Sequence, residues 1–308
     1  PVPGLAERWE ISADGRTYTF HLRTNAVWST GEPITSADVV WSWFRALSPT
    51  TAGDYAGQLF CIQRAEDWYN GKITDRSQVG IRALDERTLR VELNSPLAFF
   101  LELCSFPTLA VVPQRTIEQY GDRWLHTKPL PTSGAFTLGA WRVNDKVRLL
   151  RNPRYWDATN TASAIIDILP VGSPNTALNL YETGAADVVW DKDLVPAELM
   201  DVLVKRPDFH SFTYLGTYFY RFNVTKPPFN DARVRRAFAL ATDKPKLISK
   251  LTRGAEVPAR HFVPVGVANY ASPEGLGYDP NAARQLLAEA GFPGGKGFPR
   301  VTYTFFSA

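Results

Sequence analysis

The sequence predicts an α/β fold, and three observations predict it. Period-two runs mark strands with one buried face, as where Tyr18, Phe20 and Leu22 alternate with Thr19, His21 and Arg23. Capped segments with apolar residues at helical spacing mark helices, the clearest opening at Thr35-Ser36-Ala37-Asp38. From residue 165 to residue 190 the two kinds follow one another as strand, helix, strand, the order of a sheet with helical cover.

Taken in order, Asp14-Gly15 supplies the turn ahead of the strand at 18–22. Thr35 is placed to cap the next helix, and Asp38, three residues on, to complete a capping box. Val39, Val40, Trp43, Phe44 and Leu47 form its apolar stripe, and Ser48-Pro49 stops it. Residues 79–83 lead through Asp85-Glu86 to Leu89, Val91 and Leu93, a strand pair broken at Ser95-Pro96. A short helix is expected over 99–103, and another over 114–120 with Gly121 as its stop. Residues 136–143 and 147–150 read as a hairpin with Asn144-Asp145 at its turn, and 165–169 as a buried strand. Asn175 is the expected cap of a helix that carries Ala177, Leu178 and Tyr181 and stops at Gly184, and 187–190 is an expected short strand. The aromatic stretch 212–222 reads as strand-rich, and Asn230 as the cap of a helix over 231–241. Asp279-Pro280 opens the last helix, which Gly291 terminates before a Gly/Pro loop at 292–299. Residues 301–306 alternate like a strand and then stop, which suggests a piece of a longer chain.

At 308 residues the chain has room for two domains, or one large domain and part of another. Hydrophobic residues at 44% and charged residues at 21% are the balance of a globular protein rather than a disordered one. A net charge of +3 with no dense Lys/Arg tract gives no nucleic-acid footprint, and Arg233, Arg235 and Arg236 read as the wet side of a helix. Cys61 and Cys104 have no Cys or His neighbour at zinc spacing; one disulfide and two buried thiols both remain open. No apolar run reaches the roughly 18–20 residues that cross a bilayer. Pro1-Val2-Pro3-Gly4 has neither the basic nor the apolar region of a signal peptide.

Catalytic and cofactor signatures are missing. His21, His126, His210 and His261 are scattered with no His-Glu-x-x-His, so no metal site is expected. There is no Gly-x-Ser-x-Gly, and Ser133-Gly134 and Gly172-Ser173 are turn dipeptides. The glycines around Lys296 follow a helix and Gly297 follows the lysine, so they do not make a phosphate loop. No catalytic residue and no cofactor is expected. The enzyme alternative is a glycoside hydrolase or other cleft enzyme whose carboxylates lie far apart in sequence. The aromatic load is the stronger signal, with 9 Trp, 12 Tyr and 18 Phe. Trp41 and Trp43 are two apart on a helix and face different ways, while Tyr55 and Phe60 flank a glycine-bearing turn. Tyr214, Tyr218, Phe219, Tyr220 and Phe222 make a second cluster. Core packing and sheet edges account for most of these rings. Trp43, Tyr55, Phe60 and Tyr218 are the candidates for an apolar ligand-binding wall whose hydroxyls bond a ligand.

Four blocks carry a family likeness. The first runs from Pro3-Gly4-Leu5-Ala6-Glu7-Arg8-Trp9-Glu10 through Asp14-Gly15-Arg16-Thr17-Tyr18-Thr19-Phe20-His21-Leu22-Arg23. The second is Val27-Trp28-Ser29-Thr30-Gly31-Glu32-Pro33-Ile34-Thr35-Ser36-Ala37-Asp38-Val39-Val40. The third is Thr132-Ser133-Gly134-Ala135-Phe136, then Trp141, then Arg151-Asn152-Pro153-Arg154-Tyr155-Trp156. The fourth joins Tyr220-Arg221-Phe222-Asn223 to Pro227-Pro228-Phe229-Asn230-Asp231-Ala232-Arg233-Val234-Arg235-Arg236-Ala237-Phe238. In this order the sequence resembles the solute-binding proteins of oligopeptide and dipeptide ABC importers, extracellular solute-binding protein family 5.

The resemblance implies a periplasmic-binding-protein-like, two-lobed α/β fold with a cleft, of the large three-domain type and here truncated. It implies residues 1–114 as a small additional domain of lobe one, 115–225 as that lobe's main sheet domain, and 226–308 as the start of the second lobe. Tyr55 is the residue that corresponds to the cleft tyrosine of the small domain, although Ala52-Gly53-Asp54-Tyr55 departs from the usual Ser-Pro-Tyr. The aspartate that pairs with a peptide α-amino group is implied beyond Ala308. The implied partners are a peptide or similar small solute and the permease subunits of an ABC transporter, with no nucleic acid and a monomeric protein. The implied location is periplasmic, or lipid-anchored at the cell surface. Sugar, opine, haem or nickel chelate are the alternative ligands, and a sensing receptor the alternative role.

Overall fold

The alternation at the start of the chain forms an antiparallel hairpin in a computed structural model that describes residues 1–212, 214–253 and 256–305. Strand β1 (Ala6–Ile11) pairs with β2 (Thr17–Leu22), and Gly15 at φ +67° makes the turn that a side chain would strain. β1 is not legible as a strand because Glu7, Arg8 and Glu10 interrupt its apolar alternation. Chain contacts divide the molecule into two units, Pro1–Pro170 and Val171–Ala308.

In the first unit, β3 (Ile81–Ala83) and β4 (Thr88–Glu92) complete a four-stranded antiparallel sheet of order β1-β2-β4-β3. Its inward residues Tyr18, Phe20, Leu22, Leu89 and Val91 meet helix α1 (Ser36–Ala46), which buries Val39, Trp43 and Phe44. The capping box forms as expected: Asp38 Oδ2 accepts from Thr35 N at 2.7 Å, while Thr35 Oγ1 accepts from Asp38 N at 3.4 Å. The short helices α2 (Ala65–Tyr69) and α3 (Phe100–Leu103) cover the same core, with the Phe100 ring 4.8 Å from that of Tyr18. Each large side chain removed from water here contributes about 1.5–3 kcal/mol. Helix α4 (Gln114–Tyr120) follows and ends at Gly121, φ +54°, as the sequence predicts.

A second antiparallel sheet in this unit joins β5 (Phe136–Arg142), β6 (Lys146–Arg151) and β7 (Ile165–Ile168). Asn144, at φ +59°, makes the expected β5–β6 turn. Asp167 on β7 accepts from Arg148 Nε at 2.7 Å and from Lys146 Nζ at 3.2 Å, stitching β7 to β6. The expected burial of β7 is corrected, since Ile165 and Ile168 are 53% and 51% exposed on a strand paired along one edge. The family-like Asn152 is buried: its Nδ2 donates to Gly134 O at 2.9 Å, and its Oδ1 accepts from Arg154 N at 3.0 Å. Both ends of that amide are therefore satisfied, which pins the turn after β6.

The second unit holds α5 (Pro174–Glu182), α6 (Met200–Leu203), α7 (Ala232–Ala241), α8 (Lys244–Leu247) and α9 (Pro280–Glu289). α7 packs on α9 through Val234, Ala237 and Ala283, and Arg233 Nη1 donates to Glu289 O at 2.7 Å. Two expected caps are corrected by one or two residues. Ser173 caps α5, because Pro174 suits the first helical position, and Asp231 caps α7 by accepting from Arg233 N at 2.8 Å. The expected strands at 187–190, 212–222 and 301–306 are also corrected: among the described residues they pair with no neighbour, and a lone extended segment has no ladder for its backbone groups. Thr213 and Phe306 lie outside the described residues. In place of ladders the rings of these segments meet one another, Tyr220 to Tyr303 at 5.6 Å and Tyr303 to Phe305 at 5.6 Å.

Candidate functional site

After α1 the chain turns twice in 3₁₀ geometry, over Pro49–Thr51 and Ala56–Cys61, and Tyr55 stands at the entry of the second turn. Ala52 takes φ +50° between the two turns, which redirects the chain and leaves Tyr55 56% exposed. The Tyr55 ring is not loose. It rests edge-on against Phe106, centroids 5.2 Å apart at 68°, while its hydroxyl has no hydrogen-bond partner among the described residues. A ring held by packing with a free hydroxyl is prepared to bond a ligand at little cost in side-chain entropy.

Phe60 is on the same turn but engages a different partner, Tyr69 of α2, at 5.1 Å. Asn94 fixes this stretch, donating from Nδ2 to Phe60 O at 2.9 Å and to Ile62 O at 3.3 Å. Trp43 is placed elsewhere: it is 4% exposed and bonds through Nε1 to Leu109 O at 2.9 Å, so it serves the core and presents no face to solvent. The expectation that the paired indoles diverge holds, with Trp41 half-buried and Trp43 inside. Tyr218 belongs to the second unit, is 88% exposed, and meets Tyr220 edge-on at 6.3 Å. Sequence reasoning missed Phe106, Tyr69 and Asn94, the residues that hold the candidate rings. Asn94 was readable as a strand-end residue before Ser95-Pro96, but its reach to the 60–62 backbone depends on tertiary placement.

Neither cysteine is poised for thiol chemistry. Cys61 and Cys104 are free and partly buried; burial, with the nearby Cys61 adding to it, pushes the Cys104 thiol up to about 12, and burial raises Cys61 as well. Among the described residues no group of three or more His, Cys, Asp or Glu side chains is arranged to hold a metal ion. None of the helices among them is long and apolar enough to cross a membrane.

In the first unit, Tyr55 and Phe60 thus stand on a short turn beside a sheet-and-helix body. The profile of bacterial extracellular solute-binding proteins, family 5, matches residues 1–307, and the chain belongs to that family. It is 38% identical over 308 residues to the periplasmic oligopeptide-binding protein OppA of Escherichia coli strain K12, a match that covers 96% of this chain and 56% of that protein. The chain thus spans about half the length of the curated relatives it matches. Among solved structures, a periplasmic oligopeptide-binding protein of Borrelia burgdorferi superposes with a TM-score of 0.89 at 35% identity, covering 96% of this chain and 59% of that one. Haemophilus influenzae OppA in complex with RPPGFSPFR superposes at 0.84 with 30% identity, covering 94% and 58%. The α/β solute-binding-protein fold expected from the sequence is therefore the fold of this chain, and the relatives named are binding proteins rather than enzymes.

Proposed function

We propose that this chain is the larger part of a protein that captures peptides in a cleft between two lobes and delivers them to the permease of an ABC transporter, without making or breaking a covalent bond. The observation that carries this reading is the family match along residues 1–307, with relatives that are periplasmic oligopeptide-binding proteins. The exposed, ring-packed Tyr55 supports it, as the residue that would bond a peptide backbone from lobe one. Phe60 and Tyr218 are proposed as further aromatic contacts, whereas Trp43, 4% exposed and bonded to Leu109 O, is assigned to the core rather than to the ligand. The three-domain division at 114 and 225 belongs to the same proposal. It is supported by a first core that gathers side chains from Leu5 to Val111. Ligand closure acts by differential affinity, the closed form binding peptide more tightly and so being populated by it. The protein is proposed to work as a monomer, in the periplasm or lipid-anchored at the cell surface.

The test is calorimetry of the full-length protein against a mixed pool of short peptides, with sugars and nickel chelates as separate titrants. Saturable heat with peptides supports the reading. Heat only with a sugar or chelate removes the peptide assignment and leaves the family intact.

A further inference from the structure

A cavity of about 390 Å³ opens in the first unit beside α1, and Tyr55, Phe106, Phe60 and Tyr69 take no part in its lining. Its walls come from the last turns of α1, the 3₁₀ turn that follows, the turn at Arg76, and the end of α4. We propose that this cavity is a second binding site, separate from peptide capture, for a small oxyanion such as a phosphate or a carboxylate.

The argument rests on two guanidiniums. Arg45 and Arg76 both line the cavity, and among the described residues neither forms an ion pair or a side-chain hydrogen bond. Arg76 is held nonetheless: its guanidinium lies 5.0 Å from the Phe44 ring centroid and 5.6 Å from that of Trp68. Aromatic faces attract a cation without consuming its in-plane N–H donors, so Arg76 is positioned and still able to donate to an anion. Arg45 stands on the last turn of α1, where the helix dipole favours a cation. Facing them is one carboxylate, Asp122, which is paired with neither, so positive charge prevails in the lining. Hydroxyl groups complete the set. Ser48 and Thr50 share a 2.8 Å hydrogen bond, and the Thr51 hydroxyl has no partner among the described residues. Two guanidinium forks with an adjacent hydroxyl are the donor set that recognises phosphate and carboxylate oxygens. The Trp41 side chain on the same wall gives an organic body attached to the anion a surface to rest on.

The test titrates the intact protein with inorganic phosphate, and separately with acetate, in low-chloride buffer by calorimetry, with and without saturating peptide. Arg45→Gln, Arg76→Gln and the double variant are compared with the unaltered protein, and Arg76→Lys with Arg76→Gln, after melting curves confirm that each is folded. Saturable binding of either probe is expected, weakened about tenfold by each single Gln variant, abolished in the double variant, and unchanged by Tyr55→Ala; whichever probe binds tighter identifies the anion preferred. Absence of binding by both probes overturns the proposal. So does equal binding by the unaltered protein and the double variant, and so does displacement of phosphate by peptide, which would assign the cavity to the peptide site. Because the phosphate titration is read without peptide, its failure is distinguishable from failure of the peptide reading.

Discussion

The indole N–H of Trp43 donates to the carbonyl oxygen of Leu109 at 2.9 Å, tying α1 to the chain segment that enters α4. Both residues are buried, so the bond is made where water cannot replace it. Trp43→Phe keeps most of the apolar volume and leaves the Leu109 carbonyl without its donor, which is expected to cost about 1–3 kcal/mol. Trp43→Ala also opens a cavity and is expected to cost about 3–5 kcal/mol. Urea unfolding followed by circular dichroism checks both values; a Phe variant as stable as the unaltered protein would show that the bond contributes nothing.

Gly80 occupies a position with no room for a side chain. Its N–H donates to Gln63 O at 2.9 Å, and its carbonyl accepts from Glu92 N at 2.8 Å. A Cβ there would stand 2.5 Å from Glu92 O and 2.9 Å from Gln63 Cβ. Gly80→Ala must therefore separate the segment at 62–63 from β4, at an expected cost of about 1–3 kcal/mol. Gly4 has no atom within 4 Å of its would-be Cβ, and Gly4→Ala is expected to be neutral within about 0.5 kcal/mol. The pair measured side by side by thermal denaturation separates the close approach from the general effect of adding a methyl group.

Local chemistry explains which parts of this fold were legible in sequence. The α1 capping box, the Gly121 stop and the Asn144 turn are settled within a few residues, and they appear where the sequence put them. Asn175 has the side chain of a cap, but Pro174 suits the first helical position, which moves the cap of α5 back to Ser173. The stretches at 187–190, 212–222 and 301–305 have strand composition, but a strand is completed only by a neighbour, and period two in one segment says nothing of its partner. The candidate site divided in the same way. Exposure of Tyr55 follows from a local turn and burial of Trp43 from its place on the apolar stripe of α1, whereas the Leu109 carbonyl that takes the Trp43 N–H lies far along the chain.

Cys104 gives a pH-dependent expectation. Burial favours the neutral thiol, so its value rises from 9.0 in the open chain to about 12 in the folded protein. A raised value means that the folded state holds its proton more tightly than the unfolded state does. The associated stability is present below about pH 9 and is lost as pH climbs toward 12. Cys104→Ser is expected to flatten this alkaline fall, read as the slope of melting temperature against pH above 9. At pH 8, alkylation of Cys104 in the folded protein is expected to be far slower than in urea. Equal rates in the two conditions would place the thiol in open solvent and remove the argument.

Tyr55 is the residue on which the peptide reading makes its sharpest claim. Its ring is fixed against Phe106 at 5.2 Å, and its hydroxyl is free among the described residues. The two parts of the side chain therefore separate by substitution. Tyr55→Phe removes only the hydroxyl and is expected to weaken peptide binding about threefold to tenfold, the range of one neutral hydrogen bond. Tyr55→Ala removes the ring as well and is expected to weaken binding further, while stability changes little because the ring is 56% exposed. Phe106→Ala tests the support: with Tyr55 intact but unpropped, binding is expected to fall through the lost ordering of the ring. Calorimetry on the four proteins, with melting curves alongside, decides the matter. If Tyr55→Ala binds peptide as tightly as the unaltered protein, Tyr55 is a surface aromatic and the lobe-one contact must be sought on another residue.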